Sequence, residues 1–373
     1  MQRWEISSTQ AGMLAAGVVA LTGHALAVTY FLQAGGRDAW LSGPLALPLG
    51  LIAIWSYSYL GRLFPGKTIV EYLPKLLGYL GYVVAVLYVV FLFAVLVFTI
   101  RLTMDWLVDS ILPETPSWVM GFLYMASVYY LAVLGLDAIA RTNQFTLPLL
   151  TVLGIFISVA SMQAKDYRLL LPMFEKGLGP VFSTTLLGLG NVGELLVILM
   201  YNAYVAPGDR KKSGKAYALA LLYAITTLTG PLAGSIAALG YRVAGNMTYP
   251  TFQHWLTVTF ARFFERTDLL AAHQWLAGAY VRCALYLLMF GTGFNQLLRV
   301  KFRHTYLLAG AALAVVILSE IAFPTRTVFD EWVTRMYLPA SAVLGVVLPP
   351  LLAAVAWARG MGRKAQGAKT HGA

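Results

Sequence analysis

The chain has 373 residues, of which 59% are hydrophobic and only 12% are charged, and its mean hydropathy is +0.71. A soluble domain of this length needs roughly twice that share of charged residues, so the composition excludes a soluble globular protein. The net charge of +11 lies mostly in short connections between apolar runs, a distribution that indicates membrane topology rather than binding to nucleic acid.

Apolar runs long enough to cross a bilayer recur along the whole chain. They predict an all-α polytopic membrane protein with ten transmembrane helices. The predicted spans are about 8–33, 40–63, 79–108, 117–137, 145–164, 180–205, 215–240, 270–297, 305–323 and 338–358. They form a single transmembrane domain over 1–358, which a basic cytoplasmic tail over 359–373 follows.

The basic residues in the connections predict the orientation of the chain. With ten spans both termini lie on one side, and lysines and arginines are concentrated in the connections of that side. The connection after span 6, for example, holds Arg210, Lys211, Lys212 and Lys215. Because such residues are retained in the cytoplasm, we expect both termini there and the protein in the cell membrane.

A few ionisable residues lie inside the predicted spans, where they need a physical reason. His24, Glu194 and Arg282 are near the middles of spans 1, 6 and 8. A guanidinium group stays charged, so Arg282 requires a partner, and Glu194 is the expected one. In this hypothesis the arginine is a resident cation where related transporters hold a sodium ion. Arg101 and Asp105, four residues apart in span 3, are expected to pair.

Glycines interrupt the first span of each half of the chain. Span 1 contains "GMLAAGVVALTGHALAV" and span 6 contains "LLGLGNVGELLVILM". Corresponding interruptions predict a five-plus-five inverted repeat with broken helices 1 and 6, the halves being about 8–164 and 180–358. The freed backbone groups would suit a zwitterionic amino acid. Two alternatives stay open: "GLGNVG" as a tight helix crossing, and Glu194 and His24 as structural groups.

The candidate ligand-binding residues surround these interruptions. They are Thr22, Gly23, His24, Phe93, Val97, Gly190, Asn191, Glu194, Leu195 and Ser341, with Arg282 as the charge partner. The sequence has no complete phosphate-binding loop, no GxSxG or HExxH motif and no cluster of metal ligands. We therefore expect no catalytic residues, no metal and no cofactor, and a protein that is not an enzyme.

Several segments, in this order, resemble the spore germination B-subunit family (GerAB type) of the amino acid–polyamine–organocation (APC) superfamily. These segments are "ISSTQ", "AGGRDAWLS", "RLFPGKTIVEYLPKLLG", "ILPETPSW", "GLDAIARTNQF", "DYRLLLPMFEKGLGPV" and "GELLVILM". The resemblance implies the inverted repeat, the inner membrane of dormant spores, and a complex with an A subunit and a lipoprotein C subunit. It also implies a transporter-like pocket for a small germinant at Gly23 and at 190–195.

Three interpretations follow. The first is a germinant-receptor subunit that senses a small amino acid or similar nutrient in a transporter-like midplane pocket during spore germination. The second is a proton-coupled amino acid permease of the same fold, in which Glu194 or His24 titrates during transport. The third is a membrane scaffold with a vestigial pocket. His24 beside Gly23 departs from the family pattern and leaves the identity of the ligand open.

Overall fold

The computed structural model describes residues 4–26, 28–256, 267–299 and 303–361, and these are almost entirely helical. The tail predicted over 359–373 lies, beyond residue 361, outside the described residues. The helices are α1 (Ser8–Leu21), α2 (Val28–Gly35), α3 (Ser42–Leu63), α4 (Ile69–Leu77), α5 (Tyr79–Ser110), α6 (Ser117–Leu134), α7 (Leu136–Ala160), α8 (Gly179–Gly193), α9 (Ile198–Tyr201), α10 (Arg210–Leu239), α11 (Tyr241–Gly245), α12 (Pro250–Leu256), α13 (Thr267–Leu298), α14 (His304–Ile321), α15 (Arg326–Trp332), α16 (Leu338–Ser341) and α17 (Leu348–Ala358). Within the described ranges there is no β-sheet, which is expected where a bilayer leaves backbone groups only helical partners.

Nine helical runs of the described chain are long and apolar enough to cross a membrane. The first of them, Val28–Leu63, contains the second half of predicted span 1 and all of span 2. The first half of span 1 is α1, on the other side of residue 27. The protein is therefore an integral membrane protein of helices, while the number of ten spans stays a prediction.

The boundary between spans 4 and 5 differs from the prediction. A connection was expected between residues 137 and 145, but α6 ends at Leu134 and α7 begins at Leu136. Gly135 has a φ of +95°, which glycine adopts without steric cost, and this one residue turns the chain. The polar segment after it forms the first turns of α7, so the prediction of a loop there was wrong.

The contacts between helices have the exchange symmetry expected of two five-span halves. α1 packs on α10 as α8 packs on α3, and α1 packs on α7 as α8 packs on α16. α6 packs on α13 as α14 packs on α5. α1 and α10 belong to spans 1 and 7, and α8 and α3 belong to spans 6 and 2, so a shift of each span by five positions converts the first contact into the second. The other contacts are related by the same shift. With five spans in each half, the second half runs through the membrane in the opposite direction.

The two ends of the bundle can be told apart from the N-terminal residues. The backbone N–H of Ile6 donates to the carbonyl of Tyr204 at 3.0 Å, and that of Ser8 donates to Asp209 at 3.1 Å. The start of the chain therefore lies beside the connection that leads into α10. We call this the N-terminal end. Residues 161–178 and α12 lie at the opposite end.

Candidate functional site

The first and sixth spans lose regular α-helical geometry near their middles. A π-helical turn over Thr22–Leu26 follows α1, and a 3-10 turn over Glu194–Val197 separates α8 from α9. Both turn types shift hydrogen bonds away from the i→i−4 pattern, so carbonyl groups near them become available to other donors. The break in each span is a change of helical type rather than an unwound stretch of its described residues.

The glycines of "GLGNVG" lie before the break rather than in it, because α8 stays helical through Gly193. A methyl group placed on Gly190 would lie 2.7 Å from the carbonyl oxygen of Leu338, and one on Gly193 would overlap the carbonyl of Ser341. The expectation that these glycines break the helix was therefore wrong. They let span 6 approach span 10 backbone to backbone, which was the alternative interpretation.

Immediately after this crossing, Glu194 forms an ion pair with Arg282 of α13. Both side chains are 0% exposed, and the pair is bidentate, with Nη1–Oε2 at 2.7 Å and Nη2–Oε1 at 3.0 Å. A planar guanidinium matches both carboxylate oxygens at once, which is the strongest geometry for such a pair. The partner expected for Arg282 from the sequence is the one present in the structure.

Three hydroxyl groups complete the surroundings of Glu194. The Thr22 hydroxyl donates to Oε2 at 2.8 Å and the Tyr337 hydroxyl donates to Oε1 at 2.5 Å. The Tyr286 hydroxyl donates to the Glu194 backbone carbonyl at 2.7 Å. With Arg282, each carboxylate oxygen accepts two hydrogen bonds. The carboxylate is thus fully solvated by protein groups, as a buried charge requires.

The guanidinium of Arg282 is satisfied in the same way. Its Nε donates to the Thr99 hydroxyl at 2.9 Å, its Nη1 donates to the carbonyl of Val18, and its Nη2 lies 3.3 Å from the Tyr337 hydroxyl. The network of Arg282, Glu194 and these partners joins spans 1, 3, 6, 8 and 10. We call it the central charge network. Neither Tyr337 nor Thr99 was predicted from the sequence, since a single Tyr or Thr in an apolar span has many possible roles.

The remaining predicted residues between spans 1 and 6 are tightly packed. A methyl group on Gly23 would lie 3.1 Å from Cβ of Leu228 and 3.2 Å from Nδ2 of Asn191. Asn191 and Ser341 are completely buried, and neither the Asn191 amide nor the Ser341 hydroxyl has a hydrogen-bond partner among the described residues. This part of the predicted pocket is closed in the structure, and it contains two polar groups whose hydrogen bonds are unmade.

The apolar members of the predicted site are divided between the core and its edge. Leu195 and Val97 belong to the buried core. Phe93 is partly buried, with its ring centroid 5.1 Å from that of Phe290. None of these three lines a described cavity. His24, in contrast, lines a cavity formed by described residues.

That cavity has a volume of about 440 Å³ and lies on the other face of the π-helical turn. Side chains from α1, α7, α10, α12 and α13 line it, and it reaches from Gly17 in the middle of α1 to Lys165 at the opposite end of the bundle. We call it the vestibule. Its volume falls in the ordinary range for small-molecule sites, about 300–1,000 Å³. This cavity was not predicted from the sequence, because none of the candidate ligand-binding residues lies in α7 or α10.

Two basic side chains lie where the vestibule opens. The ammonium of Lys165 donates to the Ser158 carbonyl at 3.2 Å, and burial lowers the pKa of this lysine. His254 of α12 is buried, and burial together with the positive charge of Lys165 lowers its pKa to about 4. His24 lies deeper, with its ring centroid 5.5 Å from that of Trp255.

Transporters of known structure share this architecture. The crystal structure of MhsT in complex with L-phenylalanine aligns with a TM-score of 0.68 over 95% of this chain and 90% of that chain, at 15% identity. A manganese transporter of Eremococcus coleocola aligns with a TM-score of 0.59 over 92% of this chain and 78% of that chain, at 13% identity. The fold is therefore one that membrane transporters have.

Sequence comparisons identify the family. Spore germination protein XB of Bacillus anthracis is 26% identical over 349 residues, which cover 93% of this chain and 96% of that protein. Spore germination protein KB of Bacillus subtilis (strain 168) is 22% identical over 270 residues, which cover 71% and 72%. The family model described as "Spore germination protein" matches residues 6–326. With the match extending over most of the chain, this protein belongs to the spore germination protein family.

Proposed function

We propose that this protein is the membrane-embedded B subunit of a germinant receptor and that it binds a small amino acid or a similar nutrient. Its family and the names of its relatives support a role in spore germination. The transporter fold, represented by MhsT with bound L-phenylalanine, supports a small-molecule ligand. The observation on which the proposal depends most is that the irregular turns of spans 1 and 6 meet at the central charge network.

The proposed ligand site lies between these two turns. It comprises Thr22, Gly23, His24, Phe93, Val97, Gly190, Asn191, Glu194, Leu195 and Ser341. Asn191 and Ser341 are the groups most suited to bind a polar ligand, since their buried amide and hydroxyl have no described partner in the closed state. An unmade hydrogen bond in a buried site costs free energy that a ligand recovers when it supplies the partner.

Binding would be sensed through the central charge network. A ligand that separates spans 1 and 6 has to displace Thr22 from Glu194. The ion pair of Glu194 with Arg282 of span 8 is in turn bonded to Thr99 of span 3 and Tyr337 of span 10. Ligand affinity for the separated state would shift the population of the two arrangements, which partner subunits would detect. The residues 8–164 and 180–358 are the two halves that would move against each other.

The network favours a sensor over a proton-coupled permease, the second candidate. Both oxygens of Glu194 are used as acceptors, and Arg282 remains protonated under all ordinary conditions. A proton placed on Glu194 would have to displace one of four donors. This pair is therefore poorly suited to release and take up a proton in each cycle.

Further parts of the proposal concern the assembly. We propose that the chain lies in the inner membrane of the spore. Both of its termini would lie in the cytoplasm, because positive charge is concentrated at the N-terminal end. We also propose that an A subunit and a lipoprotein C subunit are its partners. Co-purification of these subunits with a tagged copy of this chain from spore membranes is the corresponding test.

Two measurements distinguish the candidates. In proteoliposomes with an inward proton gradient, labelled L-phenylalanine should accumulate no more than in empty liposomes if the protein is a receptor. Strong accumulation would instead establish the permease. In spores, Glu194→Gln should weaken the nutrient response per molecule of folded protein, because an amide cannot accept all four hydrogen bonds. Glu320→Gln is the matched control, because the Glu320 carboxylate also accepts a hydrogen bond, from the Ser117 hydroxyl at 3.0 Å, but lies near a helix end.

A further inference from the structure

The vestibule is separated from the central charge network by one helical turn. On one side of the π-helical turn, the Thr22 hydroxyl donates a hydrogen bond to Glu194. On the other side, His24, two residues later, faces the vestibule. The vestibule lining shares His24 with the proposed ligand site and includes neither Glu194 nor Arg282. A molecule in the vestibule would touch the same turn that holds the network, but it would not touch Glu194 or Arg282.

The lining of the vestibule contains several glycines. Gly17, Gly154, Gly230, Gly234 and Gly278 all line the vestibule. A methyl group on Gly230 would have no heavy atom within 4 Å, so the volume beside it is open. Spans 5 and 7 leave this gap between them and are bridged there by one hydrogen bond of 2.7 Å, between the hydroxyls of Thr151 and Tyr223.

The charged side chain in the lining of the vestibule is positive. Its lining includes Lys165 and contains no aspartate or glutamate among the described residues. The lysine ammonium donates a hydrogen bond to the Ser158 carbonyl. It forms no ion pair within the described chain. A partly buried ammonium without a carboxylate is a favourable place for a ligand's negative charge.

A second polar group lies at the deep end. Asn143 of α7 lines the vestibule beside Gly17, is 1% exposed, and has an amide Nδ2 without a hydrogen-bond partner in the described structure. Between Asn143 and Lys165 the walls are mainly apolar, with Leu21, Leu147 and Leu150 among them. A mainly apolar pocket with a few placed polar groups is the usual form of a small-molecule site.

We propose that the vestibule is a second ligand site, which binds small carboxylates with an apolar body, the carboxylate at Lys165 and the apolar part toward α1. The proposal rests on the proposed function only in expecting a nutrient-sized ligand. Occupancy of the vestibule would press on the π-helical turn through His24. The site would thereby influence the central charge network without being part of it.

The test uses the purified full chain in nanodiscs and three probes that share a phenyl ring. These are 3-phenylpropionate, which has only the carboxylate, L-phenylalanine, which has both charges, and phenethylamine, which has only the ammonium. Binding is followed by equilibrium dialysis of radiolabelled probe. We expect 3-phenylpropionate and L-phenylalanine to bind and phenethylamine to bind at least about tenfold more weakly, since it lacks the group that Lys165 pairs with.

Two variants and two matched controls locate the binding. Gly230→Phe fills the vestibule, and Gly310→Phe makes the same change at a helical glycine that also has open space but lies outside it. Lys165→Gln removes the ammonium, and Lys176→Gln removes an exposed one at the same end. Gly230→Phe and Lys165→Gln should each weaken the binding of 3-phenylpropionate at least about tenfold. The controls Gly310→Phe and Lys176→Gln should leave its binding unchanged.

The outcomes separate this proposal from the proposed function. Equal binding of 3-phenylpropionate by Gly230→Phe and Gly310→Phe, or equal affinity for all three probes, would overturn the vestibule site. Absence of binding to the wild-type chain would overturn it as well. A spore that lacks the gene and still germinates normally would overturn the receptor role instead, while the pattern of probe binding to the purified chain would still support the vestibule.

Discussion

At the scale of single residues, Arg282 and Glu194 form a completely buried ion pair. Each charge would be prohibitively costly in an apolar interior by itself, and together they are stable because every donor and acceptor is used. The surface pairs of the chain have no comparable weight. Arg335 and Glu331, for example, are mostly exposed and 3.9 Å apart, a geometry that contributes little.

Replacement of Arg282 by alanine should therefore lower the stability of the protein by about 3–5 kcal/mol, because it leaves Glu194 buried and unpaired. The measurements are the amount of folded protein in membranes and the melting temperature in nanodiscs. Arg335→Ala is the control and should change neither. The double variant Arg282→Met with Glu194→Met should recover most of the loss. A single Arg282→Ala variant of normal stability would contradict the role of the network.

At the scale of elements, the irregular turns and the close crossings determine how the helices fit. Spans 6 and 10 cross where Gly193 and Gly345 bring their backbones into direct contact. Span 10 has a π-helical turn of its own over Ala342–Val347. Tyr57 and Tyr88 donate to the carbonyls of Gly345 and Leu344 at 2.6 and 2.5 Å, so these carbonyls of the turn have partners. Side chains replace the hydrogen bonds that the irregular turn does not make itself.

Gly345→Ala should push these two spans apart, because its methyl group would overlap the backbone of Gly193. We expect a loss of about 1–3 kcal/mol in stability, which is typical of overpacking. Gly310→Ala is the matched control, since a methyl group there has open space and alanine is the better helix former. Thermal unfolding in nanodiscs measures both. Equal melting temperatures for the two variants would show that the crossing tolerates a side chain.

The short helix α12, which covers the vestibule, should respond to pH through His254. Its pKa of about 4 in the folded protein lies below the ordinary value of 6.5. Between these values the unfolded chain takes up a proton that the folded chain does not, so stability falls as the pH drops from about 6.5 toward 4. His254→Gln should reduce this loss in melting temperature between pH 7 and pH 5. His273→Gln, at an exposed position, should not, and identical pH profiles for the two variants would exclude His254 as the cause.

At the scale of the whole molecule, two properties follow from the repeated architecture. The halves contact each other through exchange-related helix pairs, and the central charge network lies where the irregular turns of both halves meet. The vestibule, in contrast, opens at one end of the bundle, and nothing in the symmetry requires an equal space at the other. The vestibule and the network are therefore arranged along the membrane normal, and the orientation of the chain determines which compartment the vestibule faces.

Orientation can be tested with single cysteines, because the one native cysteine, Cys283, is completely buried. Lys212→Cys places a thiol at the N-terminal end and Lys176→Cys places one at the opposite end, both at exposed positions. A membrane-impermeant maleimide applied to intact cells should label Lys176→Cys directly and Lys212→Cys only after permeabilisation. The wild-type chain is the unlabelled control. The reverse pattern would refute cytoplasmic termini.

The sequence alone determined the class of fold, the breaks in spans 1 and 6 and the pairing of Arg282 with Glu194. These follow from rules that act along one segment or on one group: apolar length, helix geometry and the need of a buried charge for a partner. Only the tertiary structure decided that the "GLGNVG" glycines make a crossing, that Tyr337 and Thr99 complete the network, and that the open space lies between α7 and α10. Each of these depends on which helix faces meet, and the apolar pattern of a span inside a bundle does not distinguish its faces.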